Sequence, residues 1–352
     1  MGEMGGPYRD KKGVTSSGIA TVILVIILLA LAVSSGCTQS GQEKTTLKVI
    51  AAGSLLGPFA EAEKEFEASH PGVDVEVEGH GSIQVIRQVT DLHRSADVVA
   101  VADESLIPDL MYRENEQTGN NYTDWYQPFA TNEMVIVYTG KSLYSGQITS
   151  SNWVEILSRP DVRVGFSNPM LDAAGYRAIM LFLLAGEEYG DPGIFDRVIG
   201  SHFTPSLNVS RSGADLAVTL PEIMKPSDKK VVIRDGSIYL LSLLEAGGID
   251  YAIEYRSVAE GMGLDYIRLP PSINLGEDDY AGGYRRAKVV LGFQRFSSIG
   301  RERTGLPVVY AFTIPSDAGN PELAREFIDY VSGQATLGRP GWPAPLPEDR
   351  AV

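Results

Sequence analysis

From residue 46 onward the chain alternates short apolar runs with stretches of helical periodicity, a pattern that restricts it to layered α/β architectures. Residues 46–52 form an apolar-rich run that reads as a strand, and residues 58–69 have helical composition that stops at His70-Pro71-Gly72. Apolar and acidic residues alternate over 73–78, as in a half-exposed strand. Within 82–93, Ile83, Ile86, Val89 and Leu92 fall at helical spacing, and the ADVVAVA run at 96–102 reads as a buried strand. This order predicts an α/β domain with a largely parallel sheet. A second set follows, with strands at 133–139, 162–166, 231–234 and 249–254 and helices at 152–158, 175–184 and 238–245. A strand at 306–314 and a helix at 321–331, with Leu323, Phe327, Ile328 and Val331 on one face, complete the pattern before a Pro-rich stretch.

The N-terminal residues read differently. Arg9, Lys11 and Lys12 precede an uncharged apolar run over 19–33, which ends at Ser34-Ser35-Gly36-Cys37 and then turns polar. A charged head, a short apolar stretch and small residues before a break make a secretion signal, and the run falls short of the ~20 residues of a spanning helix. An uncleaved anchor helix is the alternative. Cys37 is the single cysteine of the 352 residues, which rules out an internal disulfide. Three small residues followed by Cys resembles the lipobox of secreted lipoproteins, in which the Cys becomes the lipidated first residue and tethers the protein to the membrane.

The formal net charge is −15; the leader through Gly36 holds three basic and two acidic residues, which leaves −16 on the remainder. Such a field repels nucleic acid and anionic lipid, and gives no steering to an anionic ligand. Any anion site must therefore be a local arrangement of hydrogen-bond donors. Asn121-Tyr122-Thr123 and Asn208-Val209-Ser210 match the glycosylation sequon, a pattern short enough to arise by chance.

Four junctions between strand and helix patterns carry candidate chemistry. Ala51-Ala52-Gly53-Ser54 ends the first strand, where ligands of open α/β sheets bind; Gly53 admits close backbone approach and Ser54 adds a hydroxyl. Gly79-His80-Gly81-Ser82 places Ser82 as a helix N-cap, beside free N–H groups and the positive end of the helix dipole. Each of the two also reads as a plain turn and cap. Asp172 is placed to cap the helix after Asn168-Pro169-Met170-Leu171, and the small Ala173, Ala174 and Gly175 leave backbone N–H groups accessible. Tyr255, in Ile253-Glu254-Tyr255-Arg256, offers a phenol donor or a rim aromatic. An enzyme, such as a surface hydrolase, lacks its parts. No Gly-x-Ser-x-Gly surrounds Ser54, and His70, His80, His93 and His202 show neither a base motif nor zinc-ligand spacing.

AAGSLL, GHGS, SNPMLDAAGYR, IDYAIEYRSVA and VVYAFTIP occur in an order that resembles the archaeal tungstate/molybdate-binding proteins of ABC importers, over about residues 46–335. The resemblance implies an α/β, two-lobe type II periplasmic-binding fold, each lobe a mixed sheet flanked by helices, with the ligand in the cleft. The expected division is a leader at 1–36, a tether at 37–45, one lobe from 46–129 plus 269–337, a second from 130–268, and an irregular tail at 338–352. Carried over by motif, Gly53, Ser54, Ser82, Asp172, Ala173, Ala174 and Tyr255 contact a tetrahedral oxyanion. The family can hold the oxyanion's metal in a six-coordinate shell with two carboxylates, which makes Asp172 a candidate ligand to that metal. Ser237 stands where the family has a glutamate, so this chain either uses a four-oxo, hydrogen-bonded mode or substitutes Asp235 or Glu254. The implied partners are an ABC permease and its ATPase, with no cofactor. The implied setting is a monomer lipid-anchored on the extracytoplasmic face of the cell membrane. The same fold with sulfate, phosphate or a ferric ion and its anion is the nearest alternative.

Overall fold

The computed structural model describes residues 1–6, 44–292, 301–348 and 350; the apolar run, Cys37 and residues 38–43 lie outside them. The chain divides into Met1–Glu43 and a compact unit, Lys44–Val352, and the fold is that of the second. It begins with β1 (Thr45–Ala52), α1 (Leu56–Ser69), β2 (Val73–His80), α2 (Ser82–Thr90) and β3 (Val98–Val101). Next come β4 (Gln127–Asn132), β5 (Met134–Tyr138), β6 (Val164–Ser167) and the long α3 (Ala173–Glu188). The hairpin β7 (Val209–Ser212) and β8 (Asp215–Thr219) leads to β9 (Val231–Arg234), α4 (Ile238–Glu245), β10 (Tyr251–Tyr255), α5 (Arg256–Gly261) and β11 (Asp265–Arg268). The chain ends through β12 (Ala287–Val290), β13 (Glu302–Thr304), β14 (Val308–Thr313), α6 (Pro321–Ala335) and β15 (Ala344–Pro345).

Three sheets result. The first runs β15-β4-β14-β3-β1-β2, the second β11-β5-β10-β6-β9, and the third β13-β12-β8-β7. In the first, β1 pairs parallel with β2 and β3, as the helical crossovers α1 and α2 require, whereas β14 runs antiparallel to β3 and β4. The sheet is therefore mixed rather than largely parallel. β4 leaves for the second sheet and β14 arrives from β13 of the third, so neither is joined to its neighbour by a helical crossover. The second sheet repeats the arrangement: β6 is parallel to β10 and β9, and β5 is antiparallel to both its neighbours. The third sheet has no counterpart in the sequence pattern.

Apolar composition explains the layers. All four residues of β3 are buried, as expected for a strand covered on both faces. Phe312 of β14 stacks on Phe129 at 4.0 Å between ring centroids and faces Phe59 at 6.0 Å, while Phe66 meets Phe327 edge-on at 5.3 Å, locking α1 and α6 together over the first sheet. Every residue of α3 from Ala173 through Gly186 is buried, so this helix is a core element on all sides. Among the described residues no helix is long and apolar enough to cross a membrane.

The chain passes directly from the first sheet to the second at Glu133, and the segment after β11, on the way back by the third sheet, touches that crossing. Glu133 alone separates β4 from β5, and its buried carboxylate meets Arg256 at 2.7 Å, Arg268 at 2.8 Å and the Asn274 amide at 2.7 Å. On the return, the carbonyls of Asn274 and Leu275 accept the N–H groups of Met134 and Val308, both at 2.8 Å. After α6 the tail crosses back over the surface. Trp342 Nε1 donates to Glu61 at 2.9 Å, and β15 pairs with β4 through Ala344 and Pro345.

Because Phe312 joins the returning strand to both flanking aromatic layers, Phe312→Ala is expected to cost about 3–5 kcal/mol of folding stability, read from urea denaturation. A loss below about 1 kcal/mol would mean that the first sheet does not depend on this stack.

Candidate functional site

Five strand-to-helix junctions meet between the first and second sheets, at carboxyl ends of strands. β1 ends in a single 3-10 turn at Gly53–Leu55, and β2 runs through Gly81 into α2. From the other side come the 168–172 turn before α3, the 235–237 turn before α4, and Tyr255 before α5. Ser54, Ser82, Asp172, Ala173, Ala174, Ser237 and Tyr255 are all buried.

Asp172 is the hinge point of the arrangement. It occupies the N-cap position of α3 but forms no cap hydrogen bond to its own helix. Its carboxylate reaches across instead: Oδ1 accepts the Ser82 N–H at 3.4 Å and Oδ2 the Ser237 N–H at 3.1 Å. Ser82 is the first residue of α2 and Ser237 the N-cap of α4, so both donors lie at the positive ends of helix dipoles. Burial nevertheless raises the Asp172 pKa, because losing water costs the charged form. Ala173 and Ala174 open α3 directly behind it and present no side chain beyond a methyl.

The serines differ from their expected roles. Gly81, with φ −64° and ψ 146°, takes the N-cap of α2, and Ser82 is the first helical residue. The Ser82 hydroxyl is freed from capping and accepts the Ala102 N–H at 3.0 Å, which leaves its own proton to donate. Ser54 Oγ accepts from the Tyr310 hydroxyl at 2.9 Å, and Tyr310 in turn accepts from Asn132 Nδ2 at 3.3 Å. Gly53 lies against α4, where a Cβ would come within 3.2 Å of Ile238 Cγ2.

Behind these residues is a buried charge cluster. Arg177, 2% exposed, donates to the Ala102 carbonyl at 2.6 Å and to the Tyr255 hydroxyl at 2.9 Å, and pairs with Asp103 at 3.4 Å. Burial works against its charge, yet Tyr255 and Asp103 hold its pKa above the usual arginine range. Tyr176 also hydrogen-bonds to Asp103. The Tyr255 oxygen thus accepts a hydrogen bond from Arg177 while the phenol keeps its own proton, which burial holds in place. Asp103, Tyr310 and Asn132 were not singled out by sequence reasoning, because they come from strands and loops far apart in the chain. Arg177 carried a signal: it is a lone cation inside an otherwise apolar helix.

The two acids weighed as substitutes at the Ser237 position lie in different environments. Asp235 is exposed, whereas Glu254 is 1% exposed. Glu254 Oε1 accepts the Tyr255 N–H at 2.8 Å, and Oε2 is buried with no hydrogen-bond partner among the described residues. Burial pushes its carboxyl up to about 8, with the charge of nearby Asp172 adding to the effect. No group of three or more His, Cys, Asp or Glu side chains among the described residues could hold a metal ion. The arrangement is a closed set of backbone and hydroxyl donors around two carboxyl groups.

Glu254 is neutral in both folded and unfolded chains below 4.5, and between there and about 8 only the unfolded chain ionises. Its contribution to stability is therefore lost as pH rises through about 8. Glu254→Gln, neutral throughout, is expected to melt progressively higher relative to the wild type as pH rises from about 5 to about 8, with the difference level above that. A constant difference in Tm would refute a neutral Glu254.

Residues 47–342 match the family model described as bacterial extracellular solute-binding protein. The chain is 38% identical over 340 residues to an uncharacterized solute-binding protein of Methanoculleus marisnigri, with 92% of each covered. It is 39% identical over 320 residues to the molybdate/tungstate-binding protein WtpA of Pyrococcus abyssi, covering 89% of this chain and 87% of that one. The periplasmic molybdate-binding protein of Azotobacter vinelandii superposes with a TM-score of 0.51 at 14% identity, over 82% of this chain and 93% of that one, a likeness of the two-lobe fold alone. These relatives are solute-binding proteins, not enzymes. The chain belongs to the bacterial extracellular solute-binding protein family.

Proposed function

We propose that this protein captures tungstate or molybdate outside the cell membrane, held there by a lipid on Cys37, and delivers it to the permease and ATPase of an ABC importer. The observation that carries the reading is the convergence of the Ser82 and Ser237 N–H groups, one from each lobe, on a single pair of buried carboxylate oxygens. Two helix N-termini aimed at one anionic group suit a small oxyanion, and the WtpA relative is named for molybdate and tungstate.

The donors supplied to the ligand are Ser82 N–H, Ser237 N–H and the hydroxyls of Ser54, Ser82 and Tyr255, with Gly53, Ala173 and Ala174 letting backbone approach. In a dry cleft such donors are worth more than in water, which offsets the desolvation of a dianion. An oxyanion bound by both lobes favours their closed arrangement, because only that arrangement makes all the contacts. Asp172 decides between anions. It competes for the same N–H groups and repels any dianion, unless the central atom accepts one of its oxygens as an additional ligand. A group-six metal centre can expand its shell in this way; the sulfur of sulfate and the phosphorus of phosphate do not. Glu254, neutral beside it, is the nearest second carboxyl in place of the family's glutamate at Ser237.

Calorimetry of the protein is expected to give heat with tungstate and molybdate at micromolar concentration and none with sulfate or phosphate. Silence with both group-six oxyanions sinks the assignment. Asp172→Asn is expected to narrow the preference for tungstate over sulfate by at least about tenfold, about 1.4 kcal/mol. Cys37→Ser is expected to move the protein from the membrane fraction to the soluble extracytoplasmic fraction on cell fractionation.

A further inference from the structure

We infer that Gly81 is the steric stop that sets how closely the two lobes approach over the ligand, an inference that rests on the oxyanion reading above. Its backbone, at φ −64° and ψ 146°, is one that any residue adopts, so conformational freedom is not what the position requires. Space is. A Cβ added at Gly81 would fall 2.5 Å from the Leu171 carbonyl oxygen, 2.9 Å from the Leu171 carbonyl carbon and 2.7 Å from Asp172 Cβ.

These three atoms belong to the turn before α3, in the opposite lobe, and none belongs to the lobe of Gly81 itself. They are also held in place. The Leu171 carbonyl accepts the Gln84 N–H from α2 at 3.0 Å, and the Leu171 and Asp172 N–H groups both donate to the Asn168 carbonyl at 2.9 Å. The partner is thus backbone fixed by hydrogen bonds, which cannot rotate aside as a side chain would. The corresponding contact at Gly53 is softer, since the nearest atom to a Cβ there is the side-chain Ile238 Cγ2 at 3.2 Å and the nearest backbone atom, the His80 carbonyl oxygen, is at 3.7 Å.

Restoring ordinary van der Waals distance at position 81 requires the lobes to separate by on the order of 1 Å. The Ser82 N–H already lies 3.4 Å from Asp172 Oδ1, so that displacement takes this donor out of reach of any group shared with Ser237. The lack of a side chain at Gly81 therefore fixes the width of the donor cage, and with it the size of anion that all donors can grip at once.

The test uses Gly81→Ser, because serine caps a helix at least as well as glycine and keeps α2 intact while adding the Cβ. Gly57→Ala is the control; a Cβ there meets nothing within 4 Å. Tungstate affinity is read by calorimetry, ligand-driven compaction by small-angle X-ray scattering, and fold integrity by the Tm of the ligand-free protein. The expectation for Gly81→Ser is an unchanged ligand-free Tm, at least tenfold weaker tungstate binding and loss of compaction, with Gly57→Ala behaving as the wild type. Wild-type affinity and compaction in Gly81→Ser overturns the inference and leaves the oxyanion reading standing. Weaker binding with full compaction, or with a lowered ligand-free Tm, also overturns it, since the glycine then serves the ligand or its own lobe directly. A wild-type protein that binds neither tungstate nor molybdate removes both.

Discussion

A guanidinium with almost no access to water must find its partners inside the protein, and the arrangement around Arg177 follows from that requirement. Its partners come from elements of both large sheets: the Ala102 carbonyl and Asp103 follow β3 of the first, and Tyr255 ends β10 of the second. Leaving such a charge unpaired costs about 3–5 kcal/mol, so the cluster favours the arrangement in which all three partners are in reach. One residue, Ala102, serves both sides. The Ala102 carbonyl satisfies Arg177 while the Ala102 N–H fastens the Ser82 hydroxyl, so the ion cluster and the donor cage share one piece of backbone.

An acidic protein that holds an anion looks contradictory until the donors are counted by kind. Backbone N–H groups at helix starts and hydroxyls anchored by other hydroxyls carry no net charge, and the buried Arg177 is set back behind Tyr255. Glu254, kept neutral by burial, adds a carboxyl without adding a charge. The overall negative field then discourages nonspecific anion binding at the surface, while the cleft relies on short-range geometry.

The pattern along the chain made the first two sheets readable because their strands are apolar and their helices punctuated. The 231–234 strand and the 238–245 helix fall at their expected limits, set off by the polar Asp235-Gly236-Ser237 turn and by Ala246-Gly247-Gly248. The third sheet was illegible for the opposite reason. Its strand Val209–Ser212 is mostly exposed and polar, and β8 finds β12 only after β9, β10 and β11 of the second sheet have intervened. At the candidate site, the glycine and serine junctions stood out locally. What could not be read was the company they keep: Asp172 reaching across to the starts of two other helices, and Tyr310 and Asn132 arriving beside Ser54 through sheet pairing. Local sequence names a cap; only the packed chain decides where its side chain goes.

The short pairing of β15 with β4 has a consequence for how this protein behaves as a material. The first sheet has two outer strands. β2 is the naturally guarded one, its Val73–His80 sequence interrupted by Asp74, Glu76 and Glu78 so that another strand docking there meets a row of charge. β4 has no such row; Gln127–Asn132 contains no ionisable residue, and it is Ala344 and Pro345 that occupy its free side, the latter a residue that cannot pass a ladder onward. The Pro-rich tail thus works as an edge cap. A version shortened to the end of α6 would keep every site residue and yet present an uncharged, unpaired strand beside the Glu133 crossing, where chains could add to one another.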